Sequence, residues 1–108
     1  MFVVMFEFVV KEGCEQAFLD AWPKVTQGIY MFKGSLGSRL HRTKNGELIA
    51  YAQWPDRATY ELANQQTMSE QYETHRAQMR AALNIEQTRI IYEMDVAVDY
   101  LQRRPFAI

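Results

Sequence analysis

Apolar and polar residues recur along the chain with two different periods, and these periods predict both strands and helices. Residues 2–10 (FVVMFEFVV) are apolar except for Glu7, which indicates a strand with two buried faces. Apolar positions then follow helical spacing over residues 18–29, and Gly34 ends this helix. Because Pro23 lies inside it and removes a backbone hydrogen bond, we expect a kink or a late helix start.

The centre of the chain predicts a β-hairpin. Asn45-Gly46 separates two strand-like runs, residues 35–43 and 47–54. Both turn residues tolerate positive φ, so an Asn-Gly pair between two such runs is a strong hairpin signal.

Two capping signals divide the helical region that follows. Asp56 suits the N-cap of a short helix over residues 57–65, and residues 67–70 (TMSE) match a capping box that begins a helix reaching about residue 83. Residues 88–100 predict a last strand. The order β-α-β-β-α-β is that of the α+β ferredoxin-like fold, a four-stranded antiparallel sheet with helices on one face.

The predicted first strand is apolar on both faces except for Glu7, although helices of this fold cover only one face of the sheet. In the last strand, Ile90, Tyr92 and Met94 alternate onto one face. So large an exposed apolar surface would favour aggregation. We therefore expect a homodimer in which two sheets pack face to face, with a C-terminal tail, residues 101–108, packing on the partner subunit.

Composition narrows the classes of protein. A chain of 108 residues suits one domain, and its formal charge of -1 gives no footprint for nucleic acid. The single cysteine and two histidines have no spacing typical of a metal site. The apolar start has no basic residues before it, and no stretch is long enough for a bilayer, so we expect neither a signal peptide nor membrane insertion. We expect a cytoplasmic protein.

Two segments carry a family resemblance. Residues 34–42 (GSLGSRLHR) and 48–61 (LIAYAQWPDRATYE) resemble the antibiotic biosynthesis monooxygenase domain family, and the similarity extends over about residues 2–98. We accordingly take residues 1–100 as one such domain. The resemblance implies a dimeric α/β barrel. The family includes cofactor-free oxygenases of polyphenols and quinols, and haem-degrading monooxygenases.

The resemblance also implies candidate site residues. Trp54 matches the family's tryptophan at the end of strand three, and Tyr60 matches a tyrosine of quinone-forming members. An asparagine that those members carry four residues before the tryptophan is Ala50 here. His75 matches the iron-ligating histidine of haem-degrading members. Their pocket asparagine and tryptophan fall on Glu7 and Asn64, so haem degradation is disfavoured.

We expect His75, Trp54 and Tyr60 to be catalytic, with His75 as a general base that takes a phenolic proton. Glu7, Tyr72, Asn64 and Trp22 are the expected substrate-binding residues. Structural alternatives stay open: His75 as a core histidine, the tyrosines as core residues with a hydrated hydroxyl, and Glu7 as the partner of an arginine. We expect Arg76 to be solvated.

Together these features predict a cofactor-independent monooxygenase without a metal site. It would act on a small aromatic, polyphenol or quinol substrate by base-assisted reaction with dioxygen. A dimer that binds a small ligand without catalysis is the first alternative, and a haem-binding or haem-degrading protein is the second.

Overall fold

The computed structural model describes residues 1–101 as a four-stranded sheet covered on one face by helices. The strands are β1 (Phe2–Phe8), β2 (Gly37–Arg42), β3 (Leu48–Trp54) and β4 (Arg89–Asp95), and the helices are α1 (Glu15–Lys33), α2 (Arg57–Leu62) and α3 (Glu70–Ala81). All pairs are antiparallel in the order β2-β3-β1-β4, which confirms the ferredoxin-like α+β prediction. Residues 102–108, nearly all of the predicted tail, lie outside the described residues.

Helix α1 is continuous from Glu15 to Lys33, with Pro23 inside it, so the helix does not start late. It ends at Gly34, whose φ of 82° is left-handed and costs glycine no strain. None of the helices within residues 1–101 is long and apolar enough to cross a membrane.

The hairpin between β2 and β3 forms where the Asn-Gly pair predicts it. Gly46 has a φ of 89°, and the Thr43 N–H donates to the Glu47 carbonyl at 2.8 Å. This turn sets the register that places Leu40 opposite Ala50 and therefore on the same face of the sheet.

The start of α3 differs from the predicted capping box. The N-cap is Ser69, and the Glu73 carboxylate accepts the Met68 N–H at 3.1 Å. Met68 is buried and packs closely against Gly28 of α1. Helix α3 therefore begins at Glu70, after the buried Met68. The short helix α2 ends at Leu62 and continues as a 3₁₀ turn, Ala63–Gln65.

A β-bulge in the β1–β4 pairing changes the faces predicted for the last strand. Met5 pairs with Tyr92, but Phe6 pairs with Ile90, so one extra residue of β4 stands between the two pairs. Ile90 consequently shares the helix-covered face with Phe6. The prediction that Ile90 shares a face with Tyr92 is wrong, because sequence alternation cannot register a bulge.

The two faces of the sheet differ in their covering. On the helix-covered face, Phe2 and Val4 are completely buried. The opposite face, which we call the open face, carries Val3, Met5 and Glu7 of β1, Tyr51 of β3, and Tyr92 and Met94 of β4. Tyr92 is 59% exposed. No helix within the described chain covers this apolar surface.

Candidate functional site

A cavity of about 300 Å³ lies between the helix-covered face of the sheet and the helices. Its volume is at the lower end of the range for small-molecule pockets. Aromatic and aliphatic side chains make up most of its lining: Phe6, Phe8, Trp22, Val25, Ile29, Ala50, Ala52, Trp54, Tyr60, Ala63, Met68, Met79 and Ile90. The polar and charged lining residues are Thr26, Lys33, Ser35, Ser38, Asn64 and Arg76.

Small side chains on the inner strand β3 and its neighbour β2 create this space. Ala50 and Ala52 alternate onto the helix-covered face, and Ser38 pairs with Ala52 on the same side. Large residues at these positions would fill the volume between sheet and helices. The bulky side chains Phe6 and Phe8 of β1 form the adjacent wall instead.

Trp54 lines the cavity and has an unpaired buried donor. The residue is 5% exposed, and among the described residues its indole Nε1 has no hydrogen-bond partner. Its ring meets Tyr60 edge to face, with the ring centroids 5.4 Å apart. A buried N–H without an acceptor costs about 1–3 kcal/mol, so an acceptor brought next to Trp54 would be favourable.

Tyr60 contributes its ring to the cavity, while its hydroxyl is occupied elsewhere. The hydroxyl donates to Glu93 Oε1 at 3.2 Å. Burial and the Glu93 carboxylate together raise the pKa of Tyr60 to about 12, because both disfavour the phenolate. Tyr60 therefore stays protonated at neutral pH and its proton points to Glu93, not to a ligand.

Lys33 and Arg76 place two positive charges on the cavity. Lys33 ends α1 and is only 7% exposed. Burial is the main cause that lowers the pKa of its ammonium, and the positive charge of Arg76 lowers this pKa further. The Glu73 carboxylate raises it. The Arg76 side chain is 41% exposed, in agreement with the expectation that it is solvated, and it also lines the cavity.

The sequence did contain a signal for Lys33. It lies four residues after Ile29, on the apolar face of α1 that also carries Val25 and Phe18. A lysine in the last turn of a helix is usually explained by its interaction with the helix dipole. With that explanation, the sequence gives no reason to expect that the lysine is buried.

His75 and Tyr72 lie outside the lining of this cavity. The His75 ring stacks edge to face on Tyr72 with centroids 6.4 Å apart, and its Nδ1 is 3.2 Å from Gln78 Oε1. Tyr72 packs on Phe32 of α1 and its hydroxyl is 3.5 Å from Met31 Sδ. This side of α3 faces α1 and solvent, whereas Arg76 and Met79 face the cavity.

Glu7 lies on the open face of the sheet, across from the cavity. Its Oε1 is 3.2 Å from Arg89 Nε of the neighbouring strand β4. Of the predicted site residues, the structure therefore brings Trp54, Tyr60, Asn64 and Trp22 together around one cavity. It does not bring His75, Tyr72 or Glu7 there.

A ferredoxin-like sheet with an aromatic-lined cavity between the sheet and its helices defines the chain as a small α+β domain. The family model for antibiotic biosynthesis monooxygenase matches residues 1–74, and the chain belongs to this family. A comparison with curated proteins finds no match.

Solved structures share the fold. SnoaB, a cofactor-independent oxygenase from Streptomyces nogalater, superimposes with a TM-score of 0.69 at 14% identity, over 94% of this chain and 97% of its own. An antibiotic biosynthesis monooxygenase has a TM-score of 0.67 at 16% identity, covering 91% and 100%. Rv0793 from Mycobacterium tuberculosis gives 0.63 at 17%, covering 90% and 98%.

Proposed function

We propose that this protein is a cofactor-independent monooxygenase that acts on a small phenolic or quinolic aromatic substrate in the cavity beneath its helices. The observation that carries the proposal is the aromatic lining of the cavity, which includes Trp54 with its unpaired N–H. Such a lining holds a planar ring by its faces, and the N–H can orient a ring oxygen. The family, and the oxygenase named among the fold neighbours, support this activity.

The chemistry needs the substrate as an anion. A phenolate is electron-rich enough to pass an electron to dioxygen, whereas the neutral phenol is not. For a phenol with a ring methylene, the methylene becomes a carbonyl, one oxygen atom enters the product, and the other leaves as water. The four electrons come from the substrate, so the reaction requires no external reductant. Exclusion of water protects the radical intermediates from side reactions.

The position of His75 gives no support to its expected role as the base. The ring is outside the cavity lining and hydrogen-bonds to Gln78 on its own helix. The same position argues against haem degradation, because none of the described residues lining the cavity is a histidine that could ligate iron. The haem-degrading family members would require one there.

We also propose that the protein works as a homodimer through the open face. This face has an apolar centre, Met5 flanked by Tyr51 and Tyr92, and the Tyr92 side of it is exposed in the described chain. A second copy would offer the same self-complementary patch.

The test is oxygen consumption by metal-free protein with dithranol, a tricyclic phenol that has a ring methylene, and with 1,4-dihydroxynaphthalene. Under ¹⁸O-labelled dioxygen, we expect one labelled oxygen atom in the dithranol product. We expect Trp54→Phe, which keeps a ring and removes the N–H, to lower kcat/KM about tenfold. His75→Ala should retain activity. A loss of activity would show that His75 takes part in the reaction.

Two outcomes would contradict the proposal. Wild-type protein that consumes no oxygen above the uncatalysed rate with either compound cannot be acting as this oxygenase. If such protein still binds the compounds tightly, the non-catalytic ligand-binding dimer is the correct function.

A further inference from the structure

The cavity is electrostatically asymmetric. Two of its described lining residues, Lys33 and Arg76, are cationic, and none is acidic. An aromatic ligand held only by apolar contacts would require neither charge. The two cations come from different elements, the end of α1 and the middle of α3, so the packing of these helices brings both to one cavity.

The protein itself compensates these charges incompletely. The carboxylate of Glu73 is 3.8 Å from Arg76 Nη1, and its other oxygen accepts the Met68 N–H. Lys33 forms no hydrogen bond or ion pair with any residue in the described range 1–101. The lysine residue is largely buried, and this burial lowers the pKa of its ammonium because it disfavours the charged form, so an anionic partner would be favourable there.

A second, independent observation points to a ligand. The buried Nε1–H of Trp54 has no acceptor among the described residues, although the ring lines the same cavity. The cavity lining thus includes two cations, of which only Arg76 has a carboxylate partner, and a neutral donor without an acceptor among the described residues. The chemical group that satisfies donors of this kind is an anionic oxygen.

We propose that the cavity selects aromatic ligands that carry an oxyanion, a phenolate or a carboxylate, and that Lys33 and Arg76 bind this group. The inference rests on the proposed function and names the substrate class of that site. It also accounts for ionisation without His75, because nearby positive charge lowers the pKa of a bound phenol. Glu73 on α3 is the acidic group that opposes this effect, and Tyr60 stays neutral.

Calorimetric titration at pH 7 with 2-naphthoate and 2-naphthamide tests the proposal, since the two probes share a ring system and differ in charge. We expect wild-type protein to bind the carboxylate at least tenfold more tightly than the amide. Lys33→Met should reduce this preference at least threefold, because it weakens carboxylate binding more than amide binding. Lys24→Met, which removes an exposed lysine of the same helix, is the matched control and should preserve the preference.

A third probe separates the two oxyanions. Bound 2-naphthol should show the absorbance of its anion at a lower pH than free 2-naphthol if phenolates are recognised. A preference for 2-naphthoate without this change would restrict the oxyanion to carboxylates. Arg76→Gln gives a second variant should Lys33→Met fail to fold, and we expect it to reduce the preference at least threefold.

The proposal is overturned if wild-type protein binds both naphthalene probes equally, if it binds neither, or if Lys33→Met weakens both alike. These measurements require no turnover, so they are separate from the oxygenase test. Charge selectivity without oxygen uptake would refute only the proposed function. Oxygen uptake without charge selectivity would refute only this inference.

Discussion

At the scale of single residues, the alternation of β3 and the position of Lys33 show what the sequence can and cannot reveal about the site. Ala50, Ala52 and Trp54 follow strand alternation, so their common face could be predicted before the structure. Lys33 lies on the apolar face of α1 in the sequence, but its burial could not be assigned from that position alone. Its burial depends on how α3 packs over the end of α1, which the pattern of one helix does not contain.

Lys33 should lower the stability of the fold at neutral pH. Its pKa is lower in the folded than in the unfolded chain, so protonation favours unfolding. The loss of stability is fully present below the pKa of Lys33 in the folded chain. It disappears as pH rises to the ordinary lysine pKa of 10.5. We therefore expect Lys33→Met to raise the free energy of unfolding at pH 7 by about 1 kcal/mol.

Urea denaturation at pH 7 and at pH 9.5 measures this effect. The advantage of Lys33→Met over wild type should shrink at the higher pH, where more of the wild-type lysine is neutral. The exposed Lys24→Met is the control and should change stability little at either pH. A Lys33→Met protein that is less stable than wild type at pH 7 would show that the lysine stem contributes more than its charge costs.

At the scale of elements, sequence periodicity predicted the order of strands and helices, because local pattern largely determines each element. It did not determine which side of α3 faces the cavity. Tyr72, His75 and Met79 have helical spacing, yet only Met79 reaches the cavity. The orientation of α3 depends on its contact with Gly28 in α1. Contacts between residues that are distant along the chain do not appear in the hydrophobic periodicity of one helix.

Gly28 should be required for this contact. A Cβ at position 28 would lie 2.8 Å from Met68 Sδ and 2.8 Å from Tyr72 Cδ1. In an exposed helix, Gly→Ala stabilises by roughly 1 kcal/mol. Here we expect Gly28→Ala to destabilise the fold by about 1–3 kcal/mol, because the two helices must separate.

Thermal and urea unfolding of Gly28→Ala measure the change. Gln27→Ala, at an exposed neighbouring position of α1, controls for helix propensity and should be neutral or slightly stabilising. A gain in stability on Gly28→Ala would show that the α1–α3 contact relaxes at little cost.

At the scale of the whole molecule, the sheet has a cavity on one face and an apolar surface on the other. The prediction that both faces need covering came from the first strand and agrees with the exposure of Tyr92 and Met94 in the described chain. The bulge opposite Met5 could not be foreseen, and it directs Ile90 to the cavity while Tyr92 stays on the open face.

The proposed dimer should depend on the centre of the open face. Met5 lies between Tyr51 and Tyr92, so Met5→Lys would bury a charge in the interface. By light scattering after size exclusion, we expect wild type at twice the chain mass of 12.7 kDa. Met5→Lys should weaken the dimer at least tenfold, and Gln71→Lys, exposed on α3, should not. A monomeric wild type at micromolar concentration would rule the dimer out.

The two alanines of β3 have a consequence for how substrate preference can change. Because β3 pairs with a strand on each side, its backbone hydrogen bonds are satisfied whatever side chain it carries. The depth of the cavity therefore depends on the methyl groups of Ala50 and Ala52, which the hydrogen bonding of the sheet does not require. Exchanging Ala50 or Ala52 for glycine, serine or valine would adjust ligand size in small steps, so a lineage could acquire new substrates without rebuilding its sheet.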